Sequence, residues 1–347
     1  MKKFLSIALA LLMVCVMLPV VALAAEKTAS TYEELKSAIS TANDGDTIKL
    51  LADIDLSQTI TVNKTITLNM NGKKLYNTSD LWDTPTAEAD NWSLISVRGS
   101  GNLTITGNGT FAAKENDCYA VDVQESATVT IKNGTFIGNI HAVYVFAGTA
   151  NVEGGTYSVQ QKYPDPAKGD EFVLNCYDAN RANGTARINV TGGTFKNFNP
   201  ADNKAEGEGN NFADNSLVVQ KNNTVQNNDY YVGNAANEVI AAASKGEEIF
   251  VLNGTTLTNV PAGVIIQNGT DGEITVNGEK IGPNEGGDSG YVVPAPTTIV
   301  IITPSQDTPP KTDDQKNPST GANDFVGLAA AAAVVALLGS AVVLRKK

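Results

Sequence analysis

Positive charge is in short supply in this chain, with 25 Lys and Arg residues against 37 Asp and Glu, a formal net charge of −12. Displacing counterions from a phosphate backbone needs a basic surface, so nucleic acid is excluded as a partner. Histidine is all but missing, His141 being the single example in 347 residues. Aromatic residues make up 6%, and there are two tryptophans and three cysteines. With so few thiols, no disulfide framework supports the fold. The 42% apolar content supplies a core and excludes wholesale disorder. Glycine is abundant, at 31 residues.

Much of the apolar content lies at the two ends. Lys2 and Lys3 precede an apolar run from Phe4 to Leu18, followed by Pro19 and the small-residue site Ala22, Leu23, Ala24. This tripartite pattern predicts a secretory signal peptide over residues 1–24. At the other end, Asn317, Pro318, Ser319, Thr320 and Gly321 precede an apolar run over residues 325–344 and the basic tail Arg345, Lys346, Lys347. Twenty residues at 1.5 Å each span roughly 30 Å, the hydrocarbon thickness of a bilayer, and the terminal cations hold the far end in the cytoplasm. Removing Lys2 and Lys3 with the signal, and Asp324, Arg345, Lys346 and Lys347 with the tail, leaves 20 cations and 36 anions. Such an acidic surface suits solubility and repels anionic wall polymers.

The C-terminal residues 317–347 resemble the sortase cell-wall sorting signal of Gram-positive bacteria. The resemblance implies that a sortase cleaves between Thr320 and Gly321 and joins the Thr320 carbonyl to a peptidoglycan amine. Asn317 stands where the usual signal has Leu, and another sortase class prefers Asn-Pro at the front, so the motif is a hybrid and the sortase class stays open. The implied address is the cell wall, on the extracellular face, with a precursor held transiently in the membrane.

Between the ends, one phrase recurs. It reads LTITGNGTF over 103–111, VTIKNGTF over 129–136, ANVEGGTY over 150–157 and INVTGGTF over 188–195. Each copy is a short alternating strand, a turn of Asn or Gly, then Thr and an aromatic. Alternation places Ile105, Ile131, Val152 and Val190 on one face. A second strand precedes each phrase, over 93–97, 119–123, 141–145 and 172–176. The closing aromatics are 25, 21 and 38 residues apart, and the long gap holds a polar insertion over 160–171. A similar insertion covers 79–91. Insertion at one point of an otherwise intact repeat is what a solenoid tolerates.

Units of this size with two or three short strands predict an all-β, right-handed parallel β-helix over residues 25–229. An antiparallel sandwich is the competing fold. Thr31 to Ala42 predicts an amphipathic capping helix with Leu35, Ala38, Ile39 and Ala42 on its buried face and a capping box from Thr31 to Glu34. Together with the stretches 45–51 and 71–75, this opening resembles the start of pectate-lyase-like β-helix proteins over about residues 26–200. The segment 230–282 echoes the same plan, with a helix over 235–244 and strands over 246–252 and 277–281, and predicts a small second β-rich module. Residues 283–316, rich in Pro, Thr, Asp and Gly, predict an extended wall-spanning linker.

After processing, Cys118 and Cys176 remain. In the coil register they lie two coil steps apart, about 9–10 Å, beyond the roughly 7 Å Cα limit for a disulfide, so they are expected to stay unpaired.

The pectate-lyase resemblance implies catalytic carboxylates with an arginine in the lyases, or clustered aspartates with Gly-His-Gly and Arg-Ile-Lys phrases in the related hydrolases. Here the secreted part holds three arginines, Arg98, Arg181 and Arg187, and Arg187-Ile188 is followed by Asn189. His141 does not lie between glycines and reads as a solvated strand residue, and Asp122, alone on its strand, reads as outward and solubilising. No catalytic residue is assigned. Asp202, Glu206, Glu208 and Asp214 cluster without EF-hand spacing and read as a solvated loop, so no metal or other cofactor is assigned. Trp82 and Trp92 bracket the first insertion, where they can stack on sugar rings or cover an apolar edge. The expected function is a wall-anchored adhesin or a binding module for a glycan or host glycoprotein, with a divergent polysaccharide lyase or glycoside hydrolase as the alternative.

Overall fold

The alternating phrases become short strands that return to the same three sheets in turn. This is seen in a computed structural model that describes residues 24–82, 92–161, 172–202, 211–221, 228–284 and 289–296. The protein is mostly β with long parallel sheets and few helices, an arrangement consistent with a β-helix or solenoid. The expected signal peptide, apart from Ala24, the sorting motif at 317–321 and the apolar run at 325–344 lie outside the described residues. Among the described residues, no helix is long and apolar enough to cross a membrane.

The first sheet has seven parallel strands, Glu26–Ala29, Thr47–Leu50, Thr65–Asn69, Asn102–Thr106, Thr128–Ile131, Gly148–Val152 and Ala186–Val190. Its register aligns Ile105 with Ile131, Ile131 with Val152 and Val152 with Val190, and all four are buried. The second sheet stacks Ile60–Val62, Ser93–Val97, Tyr119–Val123, Val143–Val145 and Leu174–Cys176. The sequence predicts the last two of these strands to start at 141 and 172; they start two residues later. The third sheet carries the closing aromatics on Thr110–Ala112, Thr135–Gly138, Thr156–Val159 and Gly193–Lys196. Phe111, Phe136, Tyr157 and Phe195 form a buried column with successive ring centroids 4.7, 5.1 and 5.0 Å apart and planes within 12°. That spacing is the strand spacing of a parallel sheet, so the register itself stacks the rings.

Asparagine serves the turns as its chemistry suggests. Asn71, Asn108 and Asn116 take positive φ, and the Asn108 N–H donates to Asn133 Oδ1 one strand on. Asn189 Nδ2 donates to Asn151 Oδ1 on the neighbouring strand at 2.9 Å.

The N-terminal helix is Tyr32–Ser40, and Leu35, Ala38, Ile39 and Ala42 are buried as its pattern predicts. Thr31 accepts from the Glu34 N–H, as an N-cap should. The reciprocal half of the box is displaced by one residue, because Glu34 accepts from the Ser30 N–H rather than from Thr31.

Beyond Lys196 the third sheet continues with mixed pairing. Asp229–Val232 pairs antiparallel with Gly193–Lys196 and with Val218–Lys221, which in turn pairs antiparallel with Glu248–Asn253. The expected boundary at 229/230 therefore falls inside continuous strand pairing. The helix there is Asn234–Ala241. Asn277 and Gly278 repeat the positive φ of Asn71 and Gly72, yet the following strand Glu279–Ile281 pairs antiparallel with Ile274–Val276, whereas Lys74–Tyr76 pairs parallel. The likeness is local. Beyond the expected linker start at 283, Tyr291–Val292 still pairs with Ile265 and Ile266, and Val293 packs into the second core cluster.

Candidate functional site

The outer face of the second sheet collects most of the chain's scarce chemistry. On strand Tyr119–Val123, Val121 and Val123 pack into the core, so Asp122 between them points to the other face. Register then lines up Thr61, Ser96, Asp122, Tyr144 and Asn175 across five strands.

Asp122 corrects the sequence reading. Its side chain faces outward but is fully buried, and it accepts hydrogen bonds from Ser96 Oγ at 2.8 Å and Gln124 Nε2 at 2.7 Å. Arg98 Nε donates to Ser96 Oγ at 2.9 Å, which places a cation one hydroxyl from the carboxylate. His141 is corrected too. It is 6% exposed and lies ahead of the strand Val143–Val145. Its Nδ1 donates to the Phe172 carbonyl at 2.7 Å, and its Nε2 accepts from Asn175 Nδ2 at 3.3 Å. Burial pulls its pKa down to about 4, against smaller opposing effects of hydrogen bonds to the Phe172 and Ile140 backbone. Gly138 makes this placement possible, since a Cβ there would lie 1.7 Å from the His141 carbonyl oxygen.

Around the imidazole lies an aromatic cluster. His141 stacks on Tyr144 at 5.2 Å and 11°, and Tyr119 packs against both, at 4.7 and 5.2 Å. Tyr119 also meets Trp82 edge-on at 5.4 Å. Trp82 and Trp92 stack on each other with centroids 6.1 Å apart and are half-buried. Both sequence-derived tryptophans therefore belong to one group. Burial raises the Tyr119 hydroxyl pKa, with Tyr144 and Asp122 adding to the effect.

Asp117 is a residue the sequence reading passed over. It is 5% exposed and accepts from the Trp82 N–H at 2.8 Å, the Leu81 N–H and Asn77 Nδ2. Asn77 in turn accepts from the Lys114 N–H. A carboxylate is thus clamped on the segment that carries Trp82. Its sequence context, Asn-Asp-Cys before a strand, resembles any turn, and the clamp spans 35 residues.

The remaining candidates lie elsewhere. Arg187 is exposed on the first sheet and Arg181 lies on the short helix Asp178–Ala182, so the three arginines do not share one strand row. Glu206 and Glu208 fall outside the described residues, and among those described no group of three or more His, Cys, Asp or Glu could hold a metal ion. Cys118 and Cys176 are both buried and are not joined by a disulfide, and Val143–Val145 lies between their strand layers. Burial raises the Cys118 thiol pKa, with the Asp117 carboxylate next to it, which leaves the thiol protonated and unreactive. No family model, no curated protein and no solved structure matches the chain.

Proposed function

We propose that this chain is a surface protein of a Gram-positive bacterium that displays a right-handed parallel β-helix and binds a glycan or host glycoprotein on the outer face of its second sheet. Residues 1–24 direct secretion. The motif Asn317, Pro318, Ser319, Thr320, Gly321 and the apolar run 325–344 hand the protein to a sortase, which links Thr320 to peptidoglycan. The three-sheet circuit and in-register columns support the coil architecture.

One observation carries the binding reading: both tryptophans of the chain stack together, half-buried, beside Tyr119, on a face whose row leaves Thr61, Tyr144 and Asn175 accessible while Ser96 and Asp122 are buried beneath. Sugar rings present apolar C–H faces for such rings and hydroxyls for such a row. Asp122 favours recognition over hydrolysis, because Ser96 and Gln124 already engage it and no second carboxylate lies in its row. Glycoside hydrolysis needs two carboxyl groups facing one bond.

A glycan array probed with the whole chain tests the proposal. Retention without turnover is expected, and Trp82→Ala or Trp92→Ala should weaken it at least tenfold, about 1.4 kcal/mol. Release of unsaturated or reducing sugar ends would instead make the protein a lyase or hydrolase.

A further inference from the structure

Among the described residues four large apolar side chains are exposed, and two of them, Phe146 and Tyr177, touch. They are 37% and 44% exposed, and their rings stack at 4.8 Å with planes 28° apart. Each follows a strand of the second sheet by one residue, Phe146 after Val145 and Tyr177 after Cys176, and Val145 and Cys176 are in register. The Phe146 N–H donates to Val123 O and the Tyr177 N–H to Val145 O, so the ladder continues through both residues. Asn180 Nδ2 donates to the Phe146 carbonyl at 2.7 Å and fixes the turn beneath them.

Alternation puts Phe146 on the same outer face as Tyr144, and Tyr177 on the same face as Asn175. Two residues along a strand is roughly 7 Å, which is the step from Tyr144 to Phe146. Aromatic side chains thus follow one another from Trp92 and Trp82 over the buried Tyr119 to Tyr144, and then at Phe146 and Tyr177. The polar side chains beside the second half of this series are the half-buried amide of Asn175 and, beneath the surface, Gln124 hydrogen-bonded to the buried Asp122.

We infer that Phe146 and Tyr177 form a second sugar-stacking subsite, and that the ligand is an extended, neutral glycan laid diagonally across the strands from one aromatic group to the other. This rests on the glycan-binding reading above and fixes the ligand's charge, length and direction. The chain's net charge of −12 disfavours an acidic polymer, and amide partners suit sugar hydroxyls. Two stations on one rigid sheet act as linked sites, so affinity rises with ligand length until both are filled.

The test titrates the whole chain with β-1,4-linked gluco- and manno-oligosaccharides of two to six rings. Calorimetry gives affinity, and tryptophan fluorescence reports the first station, since both tryptophans lie there. The hexamer should bind at least tenfold tighter than the dimer of the same sugar. In the Phe146→Ala/Tyr177→Ala variant the hexamer should fall to the dimer's affinity while the dimer is unaffected. Equal affinity at all lengths, a hexamer indifferent to the double substitution, or tighter binding of oligogalacturonates would overturn the inference and leave glycan binding standing. A double substitution that alters only the oligomeric state would assign the pair to contact between copies and overturn the inference. No binding of any saccharide overturns both this inference and the proposed function.

Discussion

His141 takes part in two hydrogen bonds that fix which nitrogen carries its proton. Nδ1 faces the Phe172 carbonyl and must donate, and Nε2 accepts from an Asn175 amide, so the folded site prefers the neutral ring. The unfolded chain takes up a proton near pH 6.5, the folded one near pH 4. Between those values unfolding gains a proton, so the stability owed to the neutral imidazole is complete above pH 6.5, declines through the window and is gone below pH 4. The loss amounts to about 3 kcal/mol, and urea midpoints of wild type against His141→Gln across pH 7 to 4 should show it as an acid slope that the variant lacks. Asp117 yields a second prediction at this scale. Asn in its place offers one acceptor oxygen for donors that converge from Trp82, Leu81 and Asn77. Asp117→Asn should reduce the coupled near-ultraviolet dichroism of the Trp82–Trp92 pair and weaken glycan binding about tenfold, while far-ultraviolet dichroism stays that of wild type. An unchanged tryptophan signal would deny Asp117 its positioning role.

Among the elements, the closing strands of the third sheet stay in register along their aromatic column. Phe136 lies between Phe111 and Tyr157 with no exposed surface, so truncation leaves a cavity that two ring neighbours cannot fill. Phe136→Ala should cost about 3–5 kcal/mol in chemical denaturation. Gly155 turns the chain into one of these strands at φ 103°, a conformation that any side chain would strain. These strands, the turn asparagines and the helix over Tyr32–Ser40 were legible because period, cap and turn chemistry are local. The antiparallel pairing of 218–221, 229–232 and 248–253 was not, because the sequence pattern of a strand does not state the direction of its neighbour.

For the molecule as a whole, the expected fate of the C-terminus makes a separate prediction. Thr320→Ala should abolish covalent attachment, moving the protein from the muramidase-released wall fraction to the membrane fraction, with a mass retaining residues 321–347. Wall attachment that survives the substitution would remove Thr320 from the linkage.

Composition and periodicity by themselves determined that the chain is acidic, β-rich and built from a repeated strand-turn-aromatic phrase, because these follow from local chemistry and a two-residue alternation. They also singled out Trp82 and Trp92 as a pair. Only the tertiary structure decided that Asp122 and His141 are buried and hydrogen-bonded, that Asp117 holds Trp82, and that Phe146 meets Tyr177. Each of those contacts joins residues about 25–35 positions apart in sequence. Whether an outward side chain meets solvent or a neighbour depends on which residue the next strand sets beside it, and the lengths of the intervening insertions fix that residue.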